Sequence, residues 1–310
     1  MKKKSSVIIA ILILSVFLIL FFANRSGLIP SLASQYKKTQ LAYESRLEQS
    51  GSSIIHQALF KKTDFYMEAF KLSKVPASPD AKLVAAITNH HLIAPEFIAK
   101  VFSLVQTSEP ITVVLLSPNH FSVGNGYALV SEAKWETPYG QVIPDLHIVE
   151  ELQKRNLVQV DEGPFEKEHG ITGIVGFMKK SLPNAKIVPL ILKESISVAQ
   201  INDLAKSLDE ILDADDLLIG SFDFSHDFDL TTSNRNDELS LSILEKQRLD
   251  QITQMNVDSR KGVELLLGFV SLRGANKFTL LDHSNSALIT GNLEQKDVTS
   301  YITGYFTRQK

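Results

Sequence analysis

Histidine and aspartate are the residues of this chain whose placement could do chemistry. There are eight histidines and no cysteine. Disulfides, zinc–thiolate sites, iron–sulfur clusters and a cysteine nucleophile are therefore excluded, and a metal would have to sit on His, Asp or Glu. Several of these residues fall where short apolar runs end. His90 and His91 follow Leu83–Thr88, and His120 follows Ile111–Ser117. Asp223 and His226 follow Asp216–Phe222, and His283 closes the run that begins at Lys277. Imidazole nitrogen with carboxylate oxygen suits iron, zinc, manganese or copper. Two histidines and one carboxylate with open positions is the arrangement of non-haem iron. One His after a strand is an ordinary turn residue; four strand ends delivering His or Asp to one edge point to a shared site. His56 and His147 stand apart from that set and read as structural or solvated.

The elements that must position these residues alternate from Lys82 onward. Ile111–Ser117, Lys186–Leu192 and Asp216–Phe222 are buried-strand runs, with Ala128–Ala133 a weaker one. Helical spacing covers Ala94–Gln106, Ile171–Ser181, Asp237–Met255 and Arg260–Leu272. Val198–Leu212 is amphipathic, with Ile201, Leu204, Ala205, Leu208 and Leu212 on one face. Lys277–Asp282 and Tyr301–Phe306 read as closing strands. Apolar strands separated by helices predict an α/β fold with a mainly parallel central sheet sandwiched by helices. In such a sheet a ligand binds outside the carboxyl ends of the strands, where the histidines collect.

The N-terminus predicts a further element. Lys2, Lys3 and Lys4 precede an uncharged run of 17 residues, Val7–Ala23, closed by Asn24 and Arg25. As a helix that run would span roughly 26 Å, the short end of what a bilayer requires. The expectation is a transmembrane anchor over residues 1–25, a helical stalk and lead-in over 26–80, and the α/β domain over 81–310. A cleaved signal ending near Ser31-Leu32-Ala33 and a buried helix are the other readings. With the lysines on the cytoplasmic side, a single-pass membrane protein with its C-terminal domain extracytoplasmic is expected.

Composition narrows the function classes. The 310 residues are 44% hydrophobic and 22% charged, with a formal net charge of −3. That is ordinary for a globular chain and offers no basic excess for nucleic acid. Gly124-Asn125-Gly126 lacks the Gly-Lys-Ser/Thr of a phosphate loop. Asn119-His120 is shared with metallophosphoesterases, but their Asp-X-His and Gly-Asp segments are missing. No Gly-X-Ser-X-Gly elbow supports a serine hydrolase.

Five short motifs occur in one order. They are Ala86-Ile87-Thr88-Asn89-His90, Leu116-Ser117-Pro118-Asn119-His120, Thr137-Pro138-Tyr139-Gly140 with Asp145, Glu168-His169-Gly170, and Ser221-Phe222-Asp223-Phe224-Ser225-His226. In this the chain resembles the Memo-like family, called AmmeMemoRadiSam system protein B in bacteria, over most of Leu83 to Phe306. That family is similar in fold to class III extradiol dioxygenases of the LigB type. The resemblance implies a divalent metal, iron foremost, with zinc, manganese or copper compatible. It implies His90 and His120 as metal ligands and Asp223 as a carboxylate facing the same cleft. His226 would take the place of the dioxygenase acid/base histidine, and His169 would be a cleft residue near the metal. Where the family often has a Cys-Gly, Asp258-Ser259 stands here, so Asp258 is expected to supply the metal carboxylate. Its other reading is the N-cap of the helix near Arg260. His226 has an alternative too, as a helix-starting residue paired to Asp223. Gly170 replaces the family's Ser, Thr172 its Glu, and His91-Leu92-Ile93 its glycine-tyrosine stretch. Two functions stay open: a metal-dependent, dioxygenase-like oxidoreductase, or a non-catalytic metal-binding or scaffold protein, the role described for animal relatives.

Overall fold

The computed structural model describes residues 54–74 and 77–308. In chain order its elements are β1 (Ile55–Gln57), α1 (Thr63–Leu72), β2 (Lys82–Thr88), α2 (Pro95–Leu104), β3 (Thr112–Pro118), β4 (Ala128–Val130), β5 (Lys134–Thr137) and β6 (Gly140–Pro144). Then come α3 (Leu146–Lys154), β7 (Gln159–Val160), α4 (His169–Thr172), α5 (Val175–Ser181), β8 (Lys186–Leu192), α6 (Val198–Ile211), β9 (Leu217–Ser221) and β10 (Phe224–Phe228). The chain closes with α7 (Leu230–Lys246), α8 (Arg260–Leu272), β11 (Lys277–Asn285), α9 (Ser286–Thr290) and β12 (Val298–Arg308).

The strands form one sheet in the order β1-β5-β6-β8-β3-β9-β2-β12-β10, with β11 paired to β12 and β4 to β8 and β7. Its centre, β8-β3-β9-β2, is parallel throughout. β12 runs antiparallel to β2, β10 and β11, and β5 runs antiparallel to β6. The expected fold class is thus corrected on two counts. The sheet is mixed rather than mainly parallel, because short hairpins and the returning β12 extend the parallel centre on both sides. The expected transmembrane helix over Val7–Ala23 lies outside the described residues, and among them no helix is long and apolar enough to cross a membrane. The anchored, single-pass, extracytoplasmic placement and the membrane as a partner are withdrawn with it.

Alternation along the central strands builds two cores. Val114 and Leu116 of β3 pack with Leu204 and Leu208 of α6 and Val263 and Leu266 of α8. Val113 and Leu115 face the other way, onto Ile98 and Phe102 of α2 and Phe177 and Met178 of α5. Each such fully buried side chain contributes roughly 1.5–3 kcal/mol of apolar transfer. The lead-in takes part from Ile54 onward. β1 pairs parallel with β5, and Tyr66 of α1 is fully buried, its hydroxyl donating to the Phe60 carbonyl at 3.1 Å. Glycine at 176 permits this, since a Cβ there would fall 2.2 Å from Tyr66 Cζ.

Some quoted motifs turn out to be architecture. Thr137-Pro138-Tyr139-Gly140 is the β5–β6 turn, closed by Thr137 Oγ1 donating to the Gly140 carbonyl at 2.7 Å, with Gly140 at φ +101°. Asp145 caps α3 and accepts from Thr112 Oγ1 at 2.7 Å, tying α3 to the start of β3.

Candidate metal centre

Three parallel strands end side by side, and each hands one residue to the same place. His90 follows β2, His120 follows β3 and Asp223 follows β9. His90 is 3% exposed and Asp223 2%. The backbone N–H of His90 donates to Asp223 Oδ1 at 3.1 Å, and that of His91 reaches the same oxygen at 3.4 Å. Asp258 arrives from the segment before α8. Its backbone N–H donates to the Asp223 carbonyl at 3.0 Å, and its Oδ2 accepts the Asp223 N–H at 3.0 Å. The cap of α8 is Ser259, whose Oγ accepts the Gly262 N–H at 3.0 Å, so Asp258 is free of that duty.

Hydrogen bonds to the far side of each ring fix which nitrogen faces inward. The Ser221 hydroxyl donates to the Gly170 carbonyl at 2.8 Å, so it can only accept from His90 Nδ1, 3.1 Å away. His90 Nε2 then looks onto Asp223 Oδ2 at 3.3 Å and Asp258 Oδ2 at 3.2 Å. His120 Nδ1 donates to Glu168 Oε1 at 2.6 Å and its backbone N–H to Glu168 Oε2 at 3.1 Å. This leaves His120 Nε2 3.8 Å from Asp258 Oδ2. A carboxylate behind a ligating imidazole is a recurring support of metal sites.

His169 opens α4 directly after Glu168. Its ring lies over that of His120, centroids 3.9 Å apart, and 5.1 Å from that of His90. One nitrogen from each of His90, His120 and His169 lies within 4.8 Å of the others, and the same holds for ligand atoms of His90, Asp223 and Asp258. Atoms held ~2.1 Å from a common ion stand ~3–4 Å apart, so the 3.2, 3.3 and 3.8 Å separations fit one ion. Asp258 Oδ1 is buried with no hydrogen-bond partner among the described residues. An orphaned carboxylate oxygen beside an imidazole nitrogen that faces two carboxylates is the donor set a divalent cation fits.

Charge is tightly coupled here. Burial disfavours the His90 cation, but Asp223 and Asp258 outweigh it and lift His90 to about 9. His169 goes the other way, pushed down to about 4 by burial and then by His120 and His90. His91 is also lowered, by burial first, with Asp223 opposing and His90 and His226 adding. Burial pushes Glu168 up, but the His120 hydrogen bond and charge with two backbone N–H donors hold it below the ordinary carboxylate range.

The other expected residues separate. His226 lies in β10, not at a helix start; its backbone N–H donates to Asn256 Oδ1 at 3.3 Å, and its Nε2 is buried and unpartnered among the described residues. It belongs to neither ligand group but acts electrostatically on His91. His283 is inside β11 and pairs with buried Asp237 at 2.9 Å, so three strand ends, not four, feed the centre. His56 is buried and hydrogen-bonded to Glu162 at 2.7 Å, tying β1 to the body. Glu168 and Ser221, which set the two ring orientations, were legible only as motif neighbours. Gly170 has a local reason: a Cβ there would meet Ser117 Oγ at 2.0 Å, so a glycine lets α4 close onto the end of β3.

A histidine–carboxylate centre at the strand ends of a layered α/β sheet defines the class of protein. A family model described as Memo-like protein matches residues 63–305, and the chain belongs to that family. It is similar to a MEMO1 family protein of Aquifex aeolicus (strain VF5), 29% identical over 62% of this chain and 74% of that protein. MEMO1 family protein PAE0818 of Pyrobaculum aerophilum is 28% identical over 61% of this chain and 70% of its own length. MEMO1 family protein MJ0403 of Methanocaldococcus jannaschii is 29% identical over 65% and 72%.

Proposed function

We propose that the protein binds one divalent metal ion, iron foremost, through His90, His120 and Asp258, with Asp223 and His169 at its border, and acts with it on a small oxygen-bearing substrate. The observation that carries this is His90. Its Nδ1 proton is committed to Ser221, and its Nε2 faces Asp223 and Asp258 at 3.3 and 3.2 Å. Without a cation or an extra proton, that arrangement sets a lone pair against two carboxylates. When bound, the ion would supply Lewis-acid and redox chemistry.

The chain's own residues would do the rest. Glu168 and Ser221 hold the rings of His120 and His90 in fixed tautomers, so neither needs to reorganise. His169, held neutral first by burial, offers a nitrogen for a ligand contact at the border. His226 keeps its Nε2 free in a buried position, as a group that moves a proton to or from a substrate would. Full-length protein loaded anaerobically with Fe(II) and then given oxygen and catechol tests the reading. Iron-dependent oxygen uptake, lost in His226→Gln with iron retained, is the expected result. Stable iron with no uptake would favour a non-catalytic metal-binding protein, and no iron uptake would end the metal reading.

A further inference from the structure

The single turn of α4 begins with His169 and directly follows Glu168, so its placement sets two residues of the centre. A helix of 4 residues cannot satisfy its own carbonyls. Those of His169 and Ile171 accept from the N–H groups of Gly173 and Ile174 at 2.9 and 3.0 Å, and that of Gly170 accepts from Ser221 Oγ at 2.8 Å. The last, Thr172, accepts from the backbone N–H of Leu59 at 2.9 Å. Leu59 lies just past β1 and its side chain is exposed, so its hold on α4 is a main-chain one.

Upstream of α4 a second contact joins the same two stretches of chain. Glu162 Oε2 meets His56 Nε2 at 2.7 Å and accepts from Ser131 Oγ at 2.6 Å, while Oε1 accepts the Glu132 N–H at 2.8 Å. Burial pushes Glu162 up, but these donors hold it below the ordinary carboxylate range, so it only accepts and His56 Nε2 donates. Between the two contacts runs a 3₁₀ turn, Gly163–Glu166, whose Phe165 is fully buried with its ring centroid 6.3 Å from that of His56. Asp161, at the head of the stretch, accepts the Asn125 N–H at 3.3 Å and ties it to the loop after His120. The lead-in therefore pins residues 162 and 172, and Glu168 and His169 lie between the pins.

Resting on the metal reading above, we propose that the lead-in His56–Leu59 is a two-point brace that fixes the metal centre, with His56 a positioning residue acting through Glu162 and the Glu168–His169 turn. Glu168 grips His120 at Nδ1 and at its backbone N–H, at 2.6 and 3.1 Å; a displaced turn lengthens both bonds and frees the ring. β1 is an edge strand of 3 residues paired with β5, so its release breaks few ladder bonds. Such a release would loosen the centre without touching a ligand, which makes the lead-in a place from which metal affinity can be regulated.

The test uses full-length protein loaded with Co(II), whose visible absorption bands report the ligand geometry, with affinity read by competition against a chelator. His56→Ala should weaken Co(II) by about three- to tenfold, less than the about 10- to 100-fold of a group directly behind a ligand, and should shift the visible bands. His56→Gln, which returns an N–H donor to Glu162, should restore both. Leu59→Pro, which removes the other donor, should move affinity and bands in the same direction as His56→Ala. Should His56→Ala not fold, Glu162→Gln reads the same contact, because either placement of its amide sets an N–H against a donor. Unchanged affinity and bands in a folded His56→Ala, even with a lowered melting temperature, make the contact purely structural and overturn the proposal. A loss that His56→Gln does not restore overturns it as well. Failure of the wild-type protein to take up Co(II) is a separate outcome, seen before any variant is compared, and removes the metal reading together with this one.

Discussion

Replacing Asp258 by Asn removes one negative charge from the centre while keeping an acceptor oxygen for the Asp223 N–H. In the metal-free protein its effect should depend on pH in a direction the structure fixes. Burial works against the His90 cation, and Asp223 and Asp258 overcome it, lifting His90 from 6.5 to about 9. At ~1.4 kcal/mol per tenfold change in proton affinity, the linkage amounts to about 3 kcal/mol. Because the folded value lies above the unfolded one, this stability is fully present below pH 6.5 and lost as pH rises through about 9. Asp258 is one of two carboxylates within 3.3 Å of His90 Nε2, so its share is taken as half, about 1–2 kcal/mol. For a folded unit of this size that lowers Tm by about 3–6 °C near pH 6. At about pH 10 the ring is neutral and two carboxylates repel, so the deficit should vanish or change sign. Thermal unfolding of both proteins in the presence of a strong chelator, followed by circular dichroism across this range, reads the difference. A deficit that is constant, or that grows with pH, refutes the reasoning.

Three further outcomes follow from named contacts. Glu168→Gln should weaken metal binding about 10- to 100-fold by releasing the His120 ring, as competition titration against a metallochromic chelator would show; unchanged affinity would make Glu168 only a cap of α4. His226→Gln should leave metal content at the wild-type level, measured by elemental analysis, and a fall in parallel with His120→Ala would turn His226 into a ligand. Gly170→Ala should cost about 1–3 kcal/mol in urea unfolding, because its Cβ meets Ser117 Oγ; Ser117→Ala should recover part of that cost, and a fully additive double mutant would contradict the contact.

What the sequence disclosed depended on how local the cause was. β8 and α8 have the boundaries their patterns predict, Lys186–Leu192 and Arg260–Leu272. The strand ends carrying His90, His120 and Asp223 were legible because a buried β-branched run and the polar residue after it sit within a few positions. α7 begins at Leu230, seven residues before the expected Asp237, because Thr231, Thr232 and Ser233 are poor helix formers held by the Asp229 cap. β5 and β6 were not expected: five residues or fewer, joined by a tight turn, give too little alternation to see. His56, read as structural or solvated, is structural, and its partner Glu162 could not be named from the sequence because it lies 106 positions away. The orienting roles of Glu168 and Ser221 are long-range in the same way, across 48 and 131 positions. Asp258, read as either cap or ligand, was settled as to the cap by its neighbour: Ser259 takes that position and leaves the carboxylate facing His90.

The central claim, one divalent ion between His90, His120 and Asp258, meets its most direct test in elemental analysis of the full-length protein after equilibration with Fe(II) and removal of free metal. The account predicts one ion per chain in the wild type and loss of that ion in a His90→Ala/His120→Ala double variant that is still folded by circular dichroism. No ion in the wild type, with Zn(II) and Mn(II) failing as well, or equal occupancy in the double variant, would contradict it.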